Sequence, residues 1–271
     1  MTDWLAICRA ATADVERVLA QLPTRDDREP ILGRGVGGDD TTAIDGAAEE
    51  AVVARLDADG GDFRLVSEEL GERAARDGSG VVVVLDPIDG SINAKRGIPF
   101  FALSIAVAEG PAMGDVVFGY VHDFGSGEEW TATSGGGALL NGEPLGDVRP
   151  KESIEVLSFE ATRTELVAQH VEPFVGLAER LRIMGSLALS LCHLADGRVD
   201  AVCSLKTARS VDIAAAQLLV RERGLAIELP DAGPFAQAPL DLEGRSRVVA
   251  AATPALCGEL AGRLEARSNR L

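Results

Sequence analysis

Asp86 and Asp89 stand three residues apart in the run Asp86-Pro87-Ile88-Asp89-Gly90-Ser91, directly after the apolar stretch 81–85. Carboxylates just past the end of a buried strand are well placed for a site. The proline between them stiffens the turn and removes an N–H. In a tight turn two such carboxylates can point at one spot, where they repel unless a hard cation such as Mg²⁺ neutralises them. The backbone N–H groups of Gly90 and Ser91 can face an anion if a helix starts there. Taken alone, the segment reads equally well as an acid-rich capping turn with no metal.

The elements around this run follow from periodicity. Trp4, Cys8, Ala11, Val15, Val18 and Leu22 recur at helical spacing, and Pro23 ends that helix. A Gly-rich stretch then leads to a second helix over 45–56, with Ile44, Ala48, Val52 and Leu56 on one face and Thr42 or Asp45 as its N-cap. A short strand over 63–66 ends at Ser67-Glu68-Glu69, and 81–85 reads as a strand buried on both faces. Strands at 101–108, 116–122 and 129–133 extend an antiparallel sheet. Beyond residue 150 strand and helix alternate: strand 154–159, helix 164–180, strand 181–184, helix 186–195, strand 199–204 and helix 212–223. Strands 225–229 and 247–251 and helix 254–266 complete the chain. The expectation is an α+β unit over 1–146 and an α/β unit over 147–271, with the boundary in no obvious linker.

Composition narrows the function classes. The chain has 271 residues, 46% hydrophobic, enough for a sizeable core. No apolar run approaches the ~20 residues that span a bilayer, and the first residues lack a signal-peptide pattern, so the expected setting is cytoplasmic. Forty-three acids against 26 bases give a net charge of −17, which disfavours nucleic acid and anionic membranes as partners. Lys95, Lys151 and Lys206 are the lysines, and the other bases are arginines. This reads equally as a protein of a high-salt cytoplasm and as an ordinary acidic protein from a GC-rich genome. Cys8, Cys192, Cys203 and Cys257 form no CxxC pair, and His122, His170 and His193 are scattered, so zinc and disulfides are not expected.

Four separate motifs together carry more than any one. They are Asp39-x-x-Thr42-x-x-Asp45, Ser67-Glu68-Glu69, Asp86-Pro87-Ile88-Asp89-Gly90-Ser91 and Val211-Asp212-Ile213-Ala214-Ala215-Ala216. Their order and spacing resemble the inositol monophosphatase family of Mg²⁺-dependent, lithium-sensitive phosphatases, whose central motif reads D-P-[IL]-D-G-[ST]. Gly97-Ile98-Pro99-Phe100-Phe101, Gly137-Ala138-x-x-Asn141-Gly142 and Gly185-Ser186-x-Ala188 agree with it, so the likeness runs from about 4 to 265. The stretch Lys206-Thr207-Ala208-Arg209-Ser210-Val211 lacks the tryptophan common before the last motif's aspartate, and so looks more like archaeal members acting on inositol monophosphate and fructose 1,6-bisphosphate. With the acidic composition, a halophilic archaeal enzyme of carbohydrate metabolism (gluconeogenesis) is the expectation.

The resemblance implies a layered α-β-α-β-α sandwich of the sugar-phosphatase type and, commonly, a homodimer. It implies metal ligands at Glu68, Asp86, the carbonyl of Ile88, Asp89 and Asp212, holding two or three Mg²⁺ ions with the substrate's phosphate. Glu68 and Ser91 would orient the attacking water, Thr42 and Asp45 would form a second network beside it, and the Gly90 and Ser91 amides would hold the phosphate. Lys206 and Arg209 are candidates for a second phosphate by their position before Asp212, with Arg182 and Arg96 behind them. Asp40 and Glu69 are expected to play no part, as a turn cap and a solvent-facing acid. Two other readings stand beside this one. One is an adenosine 3′,5′-bisphosphate 3′-phosphatase, disfavoured by an aromatic content of 4%. The other is an idle homologue acting as a binding or regulatory protein, disfavoured because every implied ligand is present.

Overall fold

The computed structural model describes residues 2–36, 40–147, 151–160 and 163–268, with residues 266–268 described by backbone alone. Helix α1 (Trp4–Gln21) leads to the short α2 (Arg25–Arg28) and to an antiparallel pair, β1 (Ile31–Arg34) with β2 (Asp40–Thr42). Helix α3 (Ala43–Asp59) follows, with Thr42 as its N-cap. Then come β3 (Arg64–Ser67), β4 (Gly71–Arg73), β5 (Val82–Asp89), α4 (Ser91–Arg96), β6 (Ala102–Ala108), β7 (Val116–Asp123), β8 (Glu129–Thr133), β9 (Gly137–Leu140) and β10 (Glu143–Pro144). The later half carries β11 (Ile154–Glu160), α5 (Thr164–His170), β12 (Ala178–Arg182), α6 (Leu187–Ala195), β13 (Ala201–Ser204) and α7 (Ser210–Glu222). It ends with β14 (Ala226–Glu228), β15 (Val249–Ala251) and α8 (Pro254–Ser268).

Two sheets result. The first has eight strands in the order β10-β9-β8-β7-β6-β5-β3-β4, antiparallel except where β3 runs parallel to β5. The second has five, in the order β12-β11-β13-β15-β14, with β11 parallel to both of its neighbours.

Strand β5 shows why the layers stack as they do. All eight of its residues are buried. Successive side chains of a strand point to opposite faces. Val83 and Leu85 therefore join the cluster formed with α1 and α3, through Val15, Ile44, Val52 and Leu56. Val82 and Val84 join the cluster on the other face, with Leu191 of α6, Leu218 of α7 and Val202 and Ala250 of the second sheet. The second sheet repeats the device: Cys203 and Val249 turn to its far face, against Leu256 and Leu260 of α8. The outcome is an α-β-α-β-α sandwich, with α1 and α3 outside, α6 and α7 between the sheets, and α8 covering the other end.

The expected helix over 164–180 is corrected. It stops at His170, and Glu172–Phe174 forms one 3₁₀ turn with Pro173 inside it. Proline has no N–H for the helix ladder and disfavours α geometry in the residue before it. The chain then turns at Gly176 (φ +82°) into β12, so the expected strand at 181–184 lies earlier, at Ala178–Arg182. The pair β1 and β2 and helix α2 were not anticipated. Among the described residues, no helix is long and apolar enough to cross a membrane.

Candidate active site

Three chain segments meet at the end of β5. At the end of β5 the register with β6 shifts between Asp86 and Asp89. Pro87 lies in that irregular stretch, where a residue without an N–H is tolerated even in a central strand. The bulge buries both aspartates, and the Asp86 carboxylate accepts the Ile88 N–H at 3.0 Å. Parallel pairing brings Ser67 beside Leu85, so Glu68 emerges next to Asp86. Asp212 stands in the first turn of α7, where the helix's positive end favours a carboxylate. Glu68, Asp86 and Asp212 each offer an oxygen, and these atoms all lie within 4.8 Å of one another.

Asp89 sits at the edge of this cluster. One of its oxygens accepts from the Ser186 hydroxyl at 2.6 Å and the Ala188 N–H at 2.7 Å, which ties β5 to the start of α6. Gly90 has to be glycine. Its φ is +98°, and a Cβ there would stand 3.1 Å from the Phe100 carbonyl and 3.2 Å from that of Gly185. The Ser91 hydroxyl turns back to the Ile88 carbonyl at 3.0 Å. Thr42 donates its hydroxyl to Asp45 at 2.6 Å, and the other Asp45 oxygen is buried with no hydrogen-bond partner among the described residues.

The electrostatics follow from crowding acids in a dry place. Burial, then Asp212 and Glu69, push the Glu68 carboxyl up to about 7, although Arg209 opposes the shift. Burial raises Asp89 to about 7 as well. Asp86 is held well above the carboxylate range by burial and by Glu68, Asp89 and Asp212. Such acids ionise together readily only when a cation joins them. The donor set is oxygen throughout, which suits a hard divalent cation.

The substrate-side residues divide. Lys206 lines a cavity of about 110 Å³ with Asp89, Glu160, Gly185, Leu187, Ser204, Thr207, Ala208 and Asp212. Arg209 is not placed as a surface cation. It is buried, and its Nη2 pairs with Glu68 and, at 3.2 Å, with Asp212. Arg182 is exposed at the end of β12, and its guanidinium donates to the Leu181 carbonyl at 2.9 Å. Glu69 is half-buried and accepts the Thr41 hydroxyl, so it does not face solvent as expected. Asp40 is exposed on β2, and Asp39 lies outside the described residues.

The sequence profile of the inositol monophosphatase family matches residues 6–268. The chain belongs to that family. As a member it is a phosphoric monoester hydrolase. A fructose-1,6-bisphosphatase/inositol-1-monophosphatase of Methanothermobacter thermautotrophicus is 33% identical over 258 residues, covering 92% of this chain and 91% of the relative. The protein so named in Archaeoglobus fulgidus is 32% identical over 255 residues, covering 92% and 93%. The crystal structure of an inositol monophosphatase-fructose 1,6-bisphosphatase superposes with a TM-score of 0.85 at 27% identity, over 97% of this chain and all of that one.

Two buried acids at the site were missed by sequence reasoning. Glu49 of α3 accepts from the Ser67 hydroxyl and from the Glu69 and Leu70 N–H groups, both at 3.1 Å, and so fixes the chain on each side of Glu68. Its signal was an acid beside the apolar stripe, four residues after Asp45. Glu160 ends β11 and accepts from Ser158, Ser190 and the Gly185 N–H. Its signal was the one that exposed Glu68 and Asp86, an acid at a strand's carboxyl end.

Proposed function

We propose that this protein is a Mg²⁺-dependent phosphomonoesterase acting on fructose 1,6-bisphosphate, inositol 1-phosphate or both. The observation that carries the reading is the meeting of Glu68, Asp86 and Asp212 from three chain segments, next to a cavity that holds Lys206. The cluster suits divalent cations by its hard oxygen donors and its raised carboxyl pKa values. Glu68, Asp86, Asp89, Asp212 and the Ile88 carbonyl are the groups assigned to hold them. We read residues 1–146 as the unit that carries most of these ligands and 147–271 as the unit that brings Asp212. Bound Mg²⁺, two or three ions, would polarise the phosphoryl oxygens and make a water a better nucleophile.

The chain's own groups do the rest. The first N–H groups of α4, at Gly90 and Ser91, lack partners within the helix and are assigned to the phosphate oxygens. Glu68 and Ser91 orient the attacking water along the line of displacement. Asp45 is assigned to position a further water with the oxygen that has no partner among the described residues, while Thr42 holds its other oxygen in place. Glu160 and Asp89, on the cavity wall, face a polyol's hydroxyls, while Lys206 meets a second phosphate. Among the described residues no aromatic side chain lines this cavity, which favours a sugar or an inositol over a purine nucleotide. The proposal includes a homodimer in the cytoplasm of a halophilic organism, serving gluconeogenesis.

Phosphate release from a panel of sugar, inositol and nucleotide phosphates tests it. Turnover of the first two classes with Mg²⁺ is expected. Turnover of adenosine 3′,5′-bisphosphate alone, or of none of them, would overturn the reading.

A further inference from the structure

Arg209 is built into the carboxylate cluster. Its backbone is clamped on both sides: Ala208 exchanges two hydrogen bonds with Ser246, and the Ser210 hydroxyl holds the Asp241 carbonyl at 2.6 Å. Asp212 accepts the Arg209 backbone N–H with one oxygen, at 2.6 Å, and the guanidinium with the other. The same Nη2 pairs with Glu68, and the side chain is 7% exposed. Nη1 is buried with no partner among the described residues. A guanidinium thus spends its charge on two of the three acids whose oxygens lie within 4.8 Å of one another.

We propose that Arg209 is an internal counter-cation that competes with the divalent metal for Glu68 and Asp212. It keeps the acids together when no metal is bound, and it lowers metal affinity because its pairs must break as the metal takes the same oxygens. This rests on the proposed metal-dependent site. Arg209 then tunes how much cation the enzyme needs, in addition to any contact with substrate. Removing it acts in one direction on metal binding: the pairs no longer have to break, and a like charge leaves the site. Charge-assisted hydrogen bonds of this kind correspond to about tenfold or more in an equilibrium constant.

Calorimetric titration of Mg²⁺ into the full-length protein, with melting temperatures in EDTA and in saturating Mg²⁺, tests this without an activity readout. Arg209→Gln should bind Mg²⁺ roughly tenfold tighter, melt lower than the parent in EDTA, and show a wider gap between the two melts. Arg209→Lys, which keeps the charge but not the fork that spans two acids, should shift in the same direction by less, and it decides the matter if the Gln variant does not fold. Unchanged or weaker Mg²⁺ binding in the folded variant overturns the inference while leaving the metal site standing. A parent protein that takes up no divalent cation overturns the site itself, and the inference with it.

Discussion

Replacing Glu49 by alanine should damage the metal site from one layer behind it. Glu49 is 2% exposed, and a single oxygen of it accepts from Ser67, Glu69 and Leu70. The Ser67 hydroxyl is fully buried, and losing its acceptor costs about 1–3 kcal/mol. The Glu69 and Leu70 N–H groups lie on half-buried and exposed residues, so water recovers part of their loss, leaving about 0.5–1.5 kcal/mol between them. The sum is about 1.5–4.5 kcal/mol, or roughly 3–8 °C of melting temperature at this chain length. The loosened turn also carries Glu68. Removing a partner that orients a ligand typically weakens metal binding by about 10–100-fold. Glu49→Gln keeps the accepting oxygen and should lose less than about 1.5 kcal/mol, most of the metal affinity surviving. Melting curves and Mg²⁺ calorimetry on both variants decide it. An alanine variant with parental stability and affinity would rule out this role for Glu49, and so would a glutamine variant as damaged as the alanine one.

Three further outcomes are expected. Asp89→Asn should lose at least ~10²-fold in kcat, whereas Asp40→Asn, on the exposed β2, should be nearly silent; equal losses in a steady-state assay would show the site to be misassigned. Glu68 and Asp89 have carboxyls raised to about 7, so in metal-free protein they favour the fold below about pH 4, and that support is lost as pH rises through about 7. The rise in melting temperature on adding Mg²⁺ should therefore grow between about pH 5 and 8, and a constant rise across that range would contradict these shifts. With a net charge of −17, stability should increase from dilute buffer to molar KCl as repulsion is screened; a flat melting temperature would mark an ordinary acidic protein.

Much of this architecture was legible because its causes are local. Val82 to Leu85 form an uninterrupted β-branched and apolar run, which a strand buried on both faces requires, and the acids after it mark the strand's end. The α1 stripe from Trp4 to Val18 fixes a helix by spacing alone. The misreading of 164–180 shows the opposite case. Polar and apolar residues there fit a helical period, but Pro173 and Gly176 override it, and the pairing that makes β12 a strand comes from β11, a partner distant in sequence. Arg209 was legible only as a cation near Asp212. That it turns inward depends on Glu68, 141 residues away, and on the clamp at Ser246. Glu49 was hidden for a related reason: its partners belong to β3 and the turn after it, and helix periodicity says nothing about them.

In the proposed mechanism, four acids from three segments act through a bound cation on a phosphate monoester. Phosphate release from fructose 1,6-bisphosphate and inositol 1-phosphate, measured after EDTA stripping and again after Mg²⁺ is restored, tests it most directly. Turnover should disappear on stripping and return with Mg²⁺. Full turnover in protein shown to be free of metal would contradict it.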